Sequence, residues 1–441
     1  MTTPDLTSLT EAEAASIQTF PKPAAGSWTE SFGLPTGPLS LHDSHDPEFF
    51  ALEKEAVFRR SWLHVGRVER LPRPGSYFTK EIDLFGASVV VIRGMDGEVR
   101  AFHNVCTHRG NRLLWDDNPR AETSGICRQI ACKYHGWRFD TESQISYVHN
   151  APEFFDLDAD DIALAKIHCD VWAGFIFVCL DETPRQTLRE FLTPQLVKLE
   201  TYPFHRMTNT SVMDVTVNSN WKLLMDAFQE LYHVPYVHSR MNNPGKPATG
   251  MDKVPFMVPA FTLFGKHRCL TSGGQFANFG VRSQRPLDRL FSSTFYGPEM
   301  WPDVGPLGDG VNPGGVESWG LDSWHLYPNL SILTFCPNWY QTYEYWPLTE
   351  NSFRFIWTHY FVPPQDARER LAQEHTSLSV REFAIEDAAA VESMQLALRS
   401  GGVDEFRIND QEVLVRHLHH HVQADVAAYR DELATHAGSH R

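Results

Sequence analysis

Two short stretches of the sequence each pair a cysteine with a histidine. Residues 106–108 read CTH and residues 132–135 read CKYH, so Cys106, His108, Cys132 and His135 offer two thiolates and two imidazoles. Ligands one or two residues apart on a turn can reach the same metal centre. Two Cys and two His form a common structural zinc set, although zinc fingers usually pair Cys with Cys and His with His. The residues alone leave zinc and an iron–sulfur cluster both open.

A second group of potential ligands lies in NWKLLMDAFQELYHVPYVH, residues 220–238. Its apolar residues follow the helical period and predict an amphipathic helix over 219–233. Glu230 and His233 would share one face of that helix. Pro235 should end or kink the helix, so that His233 and His238 can both turn toward one metal. Two ordinary, partly buried histidines without a metal explain this pair about equally well.

A long helical pattern over 366–399 supplies carboxylates that could complete the second site. Asp387 shares an apolar stripe with Phe383, Val391 and Met394, whereas the neighbouring Glu382 and Glu386 lie off that stripe. A carboxylate on a buried stripe needs a cation or hydrogen-bond donors. Asp387 is therefore the candidate third ligand.

The elements that must position these residues predict an α+β chain in three parts. Residues 1–45 form an arm with little regular structure, 46–182 a small domain, and 183–441 a larger domain with C-terminal helices. In the small domain, a short helix starts near Glu53. Strands follow at SYFTKEI, GASVVVIRG, MDGEVRAFHNV and GWRFD, and VWAGFIFVCL (171–180) reads as one buried strand. Residues 240–320 lack a clear period and predict a lid or binding loop.

The composition bounds the function. A chain of 441 residues with 42% hydrophobic and 12% aromatic residues can bury a large core, and two domains are expected. A formal net charge of -16 argues against nucleic acid as a partner. The sequence has no evident secretory signal and no apolar run of membrane-spanning length. Seven Cys in such a chain favour reduced thiols and a cytoplasmic location.

The residues that flank the Cys–His pairs are similar to those of a known family. HNVCTHRGNRL followed by CKYHGWRFD resembles the Rieske [2Fe–2S] site, in which two Cys hold one iron and two His the other. The spacer of residues 109–131 is several residues longer than usual, and we interpret it as a loop insertion in which Cys127 is a bystander. This resemblance favours the cluster over zinc.

The later motifs carry the same resemblance further. NWK, then a carboxylate before Tyr-His and a second His, is similar to the mononuclear iron motif of Rieske non-haem oxygenases, and Asp387 matches the E-D-x3-V-E pattern. Roughly residues 50–400 resemble the catalytic α subunit of a Rieske-type ring-hydroxylating oxygenase. The family implies a small antiparallel β Rieske domain, followed by a larger helix-grip-like catalytic domain with an antiparallel sheet. It also implies Fe(II) held by His233, His238 and Asp387, where O2 is activated for di- or monohydroxylation.

The family further implies partners and an electron route. An NAD(P)H-dependent reductase, sometimes through a ferredoxin, supplies electrons to a homotrimer (α3) or to an α3β3 assembly with a small β subunit. A carboxylate bridges a cluster-ligating His of one subunit and an iron-ligating His of the next. By position it is Glu230, between His135 and His233, where the family usually has Asp. Asp226, where the family commonly has Asn, is expected near the iron, with a structural role about equally possible.

Several aromatic and aliphatic residues indicate a class of substrate. Phe228, Val234, Phe335 and Phe383 suggest an apolar site and a hydrophobic, preferably aromatic, substrate of the kind met in aromatic hydrocarbon catabolism. RHLHHHV (416–422) is interpreted as a solvated surface of the C-terminal helix. Two alternatives remain: a Rieske electron-transfer protein without oxygenase activity, and a zinc-stabilised binding module.

Overall fold

The structure, a computed structural model, describes most of the chain in two units. The described residues are 26–155, 157–158, 161–238, 260–273, 286–291, 293–294, 297–298, 307–316, 319–335 and 339–439. The small unit is Val57–Phe191, and the large unit combines the chain up to Ala56 with Leu192 onward. Among the helices described, none has the length and apolar character needed to cross a membrane.

The N-terminal segment is more ordered than predicted where it is described. It contains α1 (Trp28–Ser31), β1 (Leu39–Ser40) and α2 (Pro47–Glu53), while residues 1–25 lie outside the described part. The helix expected to start near Glu53 begins earlier, at Pro47, and continues beyond Glu53 as a π-helical turn over Lys54–Phe58. The start signal is Asp46, whose side chain accepts a hydrogen bond from the Phe49 backbone N–H, followed by a proline in the first turn.

The small unit is built on an antiparallel sheet with the strand order β2-β11-β10-β5-β4-β3-β6, and a second sheet with the order β7-β8-β9. The strands predicted at SYFTKEI and GASVVVIRG are confirmed as β3 and β4. In chain order the strands are β2 (Leu63–Arg67), β3 (Ser76–Ile82), β4 (Ala87–Arg93), β5 (Val99–His103), β6 (Ser124–Ile126), β7 (Ile130–Ala131), β8 (Arg138–Phe139), β9 (Ile145–Tyr147), β10 (Lys166–Trp172) and β11 (Phe175–Cys179).

The prediction of one strand over VWAGFIFVCL was wrong. The segment is a hairpin between β10 and β11, with Trp172 opposite Phe175. Its two turn residues, Ala173 and Gly174, have φ of 49° and 82°. Positive φ at both positions is typical of the type I′ turn that suits a two-residue hairpin. The apolar run hid the turn because alanine is not a typical turn residue.

The large unit contains the second antiparallel sheet, with the order β12-β20-β19-β18-β17-β14-β13. The predicted α+β architecture is thereby confirmed. Four strands of the large unit, β13 to β16, fall in the stretch 240–320 that was predicted to be irregular; 239–259 and several shorter pieces of that stretch lie outside the described residues. The strands are β12 (Asn209–Val217), β13 (Ala260–Phe264), β14 (His267–Gly273), β15 (Ser293–Thr294), β16 (Gly297–Pro298), β17 (Trp319–Leu326), β18 (Leu330–Phe335), β19 (Trp339–Thr349), β20 (Ser352–Phe361) and β21 (Glu405–Phe406).

The helices of the later chain include the one predicted to carry the third ligand. That helix, α7, runs almost as predicted, and Asp366 caps its first turn by accepting from the Glu369 N–H. The short strand β1 pairs with β21. The helices are α3 (Leu188–Val197), α4 (Trp221–Ala227), α5 (Val234–Val237), α6 (Pro286–Phe291), α7 (Ala367–Leu398) and α8 (Val413–Ser439).

The helix predicted over 219–233 is shorter than its apolar period suggested. It ends at Ala227, and Glu230 to His233 form an irregular turn before α5. The Glu230 carboxylate accepts hydrogen bonds from the backbone N–H groups of Tyr232 and His233. These N–H groups would otherwise donate to backbone carbonyls in a continued helix. The Glu230 side chain therefore ends the helix, and the pattern of hydrophobic residues gives no indication of this.

Candidate metal centres

The two Cys–His stretches fold into loops with the same hydrogen bonds. In the first, the Cys106 N–H donates to the Asn111 carbonyl and the Gly110 N–H donates to the Cys106 carbonyl. In the second, Cys132 repeats both bonds with Trp137 and Gly136. Gly110 and Gly136 have φ of 73° and 75°, a left-handed conformation that glycine adopts readily.

The four side chains of these loops meet as two pairs. Cys106 and Cys132 are both buried, and burial, the largest cause, raises the pKa of the Cys106 thiol to about 11, with Cys132 beside it. The rings of His108 and His135 are half-buried, with centroids 4.7 Å apart. Trp137 stacks on His108 at 4.9 Å and supports the pair from inside the unit.

The pairing fits a two-iron cluster better than one zinc ion. A single tetrahedral ion would draw all four ligand atoms together. In the described part of the chain, the one group of three or more such atoms within 4.8 Å of each other lies elsewhere, at His233, His238 and Asp387. A thiol with a raised pKa loses its proton only to a strong partner such as a metal. Cys106, Cys132, His108 and His135 would therefore hold a [2Fe–2S] cluster.

The long spacer between the loops has a structural use. It contains β6, which pairs with β3 and extends the edge of the main sheet. Cys127 follows β6, and its N–H donates to the Gly75 carbonyl. The thiol of Cys127 packs against the core of the unit. The expectation that Cys127 is a bystander stays a prediction.

The second centre brings together residues far apart in the sequence. Oδ1 of Asp387 lies 3.5 Å from Nε2 of His233 and 3.2 Å from Nε2 of His238. This oxygen is buried and has no hydrogen-bond partner among the described residues. A buried carboxylate oxygen facing two imidazole nitrogens fits a cation, and two His with one carboxylate suit Fe(II).

Two glutamates orient the histidines of this centre. Nδ1 of His233 lies 2.6 Å from Oε1 of Glu230, and Nδ1 of His238 lies 2.9 Å from Oε2 of Glu386. The hydrogen bonds leave both Nε2 atoms free to bind the metal. Burial by itself lowers the pKa of His233, but the Glu230 carboxylate outweighs it and the net shift is upward. Sequence periodicity placed Glu386 off the buried stripe. Its position next to Asp387 in the sequence was the one indication that it could contact His238.

The buried stripe of α7 differs from the prediction at its end. Asp387 and Val391 are buried as expected, and Phe383 is half-buried. Met394, however, is 40% exposed and Gln395 is buried in its place. A spacing of three and four residues drifts around a straight helix, so a stripe extrapolated for several turns turns toward solvent.

Asp226 meets a histidine of the C-terminal helix. Oδ2 of Asp226 lies 3.0 Å from Nε2 of His419, and Nδ1 of His419 lies 2.9 Å from Oδ2 of Asp43. His419 is 0% exposed and His417 is 4% exposed, so the interpretation of RHLHHHV as a solvated surface was wrong for both. Within that run, His420 does face solvent. The periodicity of α8, rather than the density of histidines, was the useful signal.

Two carboxylates flank the buried His419 ring. A Lys222–Glu53 ion pair of 2.6 Å is fully buried nearby. Although burial opposes charge, Asp43 and Asp226 raise the pKa of His419 to about 10, and His419 in turn holds the pKa of Asp43 at about 2. His419 is therefore an imidazolium at neutral pH. Buried charges persist only when paired in this way.

An aromatic wall extends from the segment just before the ligand turn onto the sheet. The Phe228 ring lies 4.6 Å from that of Tyr343 and 6.3 Å from that of Phe355. Phe383, predicted to line the site, lies 4.7 Å from the His238 ring. Phe335 instead stacks on Trp339 at 4.0 Å. Tyr343 was not predicted because strand pairing, not local sequence, brings it to Phe228. Val234 lies in α5, between His233 and His238 in sequence.

The two arrangements together define a class of protein in which a Rieske cluster serves a mononuclear non-haem iron. The family comparison agrees. Residues 61–159 match the Rieske [2Fe-2S] domain, and residues 200–428 match the ring hydroxylating alpha subunit (catalytic domain). The second match spans just over half of the 441 residues, and the chain belongs to this family of ring-hydroxylating α subunits. The two domains imply the two iron cofactors.

Curated relatives are similar over part of their length. The carnitine monooxygenase oxygenase subunit of Escherichia coli (strain K12) is 33% identical over 44% of this chain and 50% of that protein. The glycine betaine monooxygenase oxygenase subunit of Chromohalobacter salexigens is 31% identical over 45% of this chain and 42% of that protein. The chain thus spans about half the length of the curated relatives it matches.

Solved structures show the same fold. A quaternary ammonium Rieske monooxygenase in complex with L-carnitine superposes with a TM-score of 0.67 at 20% identity, covering 88% of this chain and 95% of that one. Naphthalene 1,2-dioxygenase with indole bound superposes with a TM-score of 0.63 at 22% identity, covering 89% of this chain and 92% of that one.

Proposed function

We propose that the chain is the terminal oxygenase component of a Rieske oxygenase system, which inserts oxygen from O2 into an organic substrate. The observation that carries the proposal is the convergence of His233, His238 and Asp387 within 4.8 Å, in a chain that also carries paired Cys and His loops. Three protein ligands on one face leave open positions for O2. When bound, the cluster supplies single electrons and the mononuclear iron supplies the site of oxygen chemistry.

The protein residues have separate roles in this proposal. His108 and His135 are half-buried, so the cluster edge that they hold is accessible to an electron donor. Glu230 connects His233 to His135 of a neighbouring subunit. Its Oε1 contacts His233, and a carboxylate oxygen retains a further lone pair for a second histidine. The partners are an NAD(P)H-dependent reductase, with or without a ferredoxin, and further copies of the chain in an α3 or α3β3 assembly.

For the substrate we propose a small quaternary ammonium compound that undergoes monooxygenation. Relatives that act on carnitine and glycine betaine support this choice. The aromatic wall of Phe228, Tyr343 and Phe355 also supports it, because aromatic faces attract quaternary ammonium groups. An aromatic hydrocarbon suits the same rings by stacking, but the carnitine and glycine betaine relatives do not favour it.

The first experiment is anaerobic metal analysis with acid-labile sulfide, followed by O2 uptake. We expect about three irons and two sulfides per chain and a Rieske absorption spectrum. The reduced protein should then consume O2 faster with carnitine or glycine betaine than with naphthalene. Two irons and two sulfides that persist after ferrous iron is added would instead identify an electron-transfer protein. A colourless protein with one zinc would identify the binding module.

Glu230→Gln tests the proposed bridge separately. The amide cannot accept two histidine protons as a carboxylate does, so single-turnover reoxidation of the cluster should slow while the iron content stays at the wild-type level. The matched control is Glu382→Gln, at an exposed position of α7. Unchanged reoxidation in Glu230→Gln would remove the bridge from the proposal.

A further inference from the structure

One buried histidine of the large sheet has no role in the centres described above. His359 in β20 is 0% exposed, and neither ring nitrogen has a hydrogen-bond partner among the described residues. Burial lowers its pKa to about 3, so the ring is neutral at pH 7 and presents one N–H donor and one acceptor. Its neighbour across the strands, Gln341, is satisfied by Trp357 and Tyr343.

His359 lies on the face of the sheet against which Phe228, just before the ligand turn, packs. Phe355, Trp357 and His359 are each two residues apart in β20, so their side chains point to the same face of the sheet. Their rings contact one another, and Trp357 also contacts Tyr343 at 5.1 Å. Phe228, which precedes the ligand turn, contacts both Tyr343 and Phe355 on this face. His359 continues the aromatic wall, about 13 Å along the strand from Phe355.

A second unpartnered group lies at the same level of α7. Ser377 is 9% exposed, and its buried Oγ has no partner among the described residues. Gln373, one turn earlier, donates to the Val362 carbonyl just after β20. One turn of helix advances about 6 Å, which is about two residues of a strand. Ser377 is therefore level with residues 359–361 of β20, about 15 Å along the helix from Asp387.

Two polar side chains without partners are destabilising in a fully packed interior, and buried polar groups are nearly always satisfied. A hydroxyl and a neutral imidazole provide hydrogen bonds but no net charge. A bound carboxylate would need a cation here, whereas a hydroxyl or carbonyl would not. The site thus selects an uncharged oxygen.

We propose that His359 and Ser377 form a subsite for an uncharged oxygen-bearing group of the substrate, a hydroxyl or a carbonyl, at the end of the aromatic wall away from Asp387. The subsite deepens the proposed function, on which it rests. A substrate that reaches from the iron to His359 then has about 10 Å between its oxidised carbon and this oxygen, if that carbon lies a few ångströms from the metal.

The test is calorimetric binding of matched probes to the metal-loaded protein without O2. One pair is hexyltrimethylammonium and its omega-hydroxy derivative, and the other is butylbenzene and its omega-hydroxy derivative. In the wild type, the hydroxylated member of a pair should bind about ten-fold more tightly, the effect of one to two buried hydrogen bonds. His359→Phe preserves an aromatic ring and should bring the ratio to about one. His359→Gln should restore part of it, and Ser377→Ala should reduce it.

The control is Thr358→Val, on the opposite face of the same strand, which should leave the ratio unchanged. An unchanged ratio in both His359→Phe and Ser377→Ala, or no binding of any probe, would overturn the subsite. If the benzene pair alone shows the effect, the subsite holds and the quaternary ammonium proposal fails. If the effect is present but O2 uptake is absent with every substrate, the oxygenase proposal fails independently.

Discussion

The two metal centres are built in opposite ways. The loops at Cys106 and Cys132 each fix their ligands within a few residues, by two backbone hydrogen bonds and a left-handed glycine. The second centre joins a turn to α7, and the residues of its His238–Glu386 contact are 148 positions apart. One centre is specified by local turns, whereas the other depends on the packing of the whole large unit.

The difference extends to the partners of each centre. The imidazoles of the first centre are supported by rings, such as Trp137 against His108. The imidazoles of the second are supported by carboxylates, Glu230 and Glu386. Damage to the large unit should therefore change iron retention at the second centre and leave the cluster intact.

The largest expected effect comes from Asp387→Ala. The mononuclear iron loses its only carboxylate ligand, so about one of three irons should be lost and product formation abolished. Metal analysis and the absorption spectrum should show an intact cluster. Ile385→Ala, an exposed neighbour on α7, is the control. Simultaneous loss of the cluster signal would show that the centres are not independent.

His419→Leu tests the packing of the large unit. It leaves the buried Asp43 and the half-buried Asp226 without their cation, which should lower the free energy of unfolding by about 3–5 kcal/mol. Denaturant unfolding measures this loss, and His420→Leu, at an exposed position, is the control. If the free energy of unfolding falls no more than in the control, the His419 imidazolium does not stabilise the large unit.

The same histidine predicts a pH dependence. Because its pKa is raised from 6.5 to about 10, its contribution is complete below pH 6.5 and is lost as the pH rises toward 10. The free energy of unfolding of the wild type should fall by several kcal/mol across that window, with a slope of about 1.4 kcal/mol per pH unit. His419→Leu should remove this slope. A slope that persists in the variant would assign it to other groups.

Glu386→Gln should have a smaller effect, confined to the second centre. The amide keeps a hydrogen-bond acceptor for His238 but loses the charge that makes the imidazole a better ligand. A ten- to hundred-fold weaker iron affinity is expected, as for other partners of metal-bound histidines. Titration of the apo-site with ferrous iron measures it. An affinity equal to that of the wild type would reduce Glu386 to a surface contact.

The smallest effect concerns the small unit. Asn tolerates the left-handed conformation of Ala173 better than Ala does, so Ala173→Asn should stabilise the β10–β11 hairpin by about 0.5–1 kcal/mol. Thermal unfolding followed by the cluster absorbance measures the gain, with iron affinity of the second centre unchanged. A lower melting temperature would show that the turn is not strained.

Elements whose residue types and spacing are local in the sequence could be predicted from it. The seven proposed ligands stay predictions, whereas the strands at SYFTKEI and GASVVVIRG and the long helix α7 followed from local patterns. The end of α4 did not, because the Glu230 side chain takes backbone donors. Glu386, His419 and Tyr343 were missed as neighbours of the site because each meets its partner only through tertiary packing.

The division of the chain also has a consequence for synthesis. The small unit is one continuous stretch, Val57–Phe191, and can finish folding while the ribosome is still translating the remainder. The large unit combines residues from early and late in the chain, because Asp43 contacts His419 and this contact can form only after His419 has been synthesised. Nascent chains should therefore acquire the cluster early and retain the mononuclear iron only after α8 has left the exit tunnel.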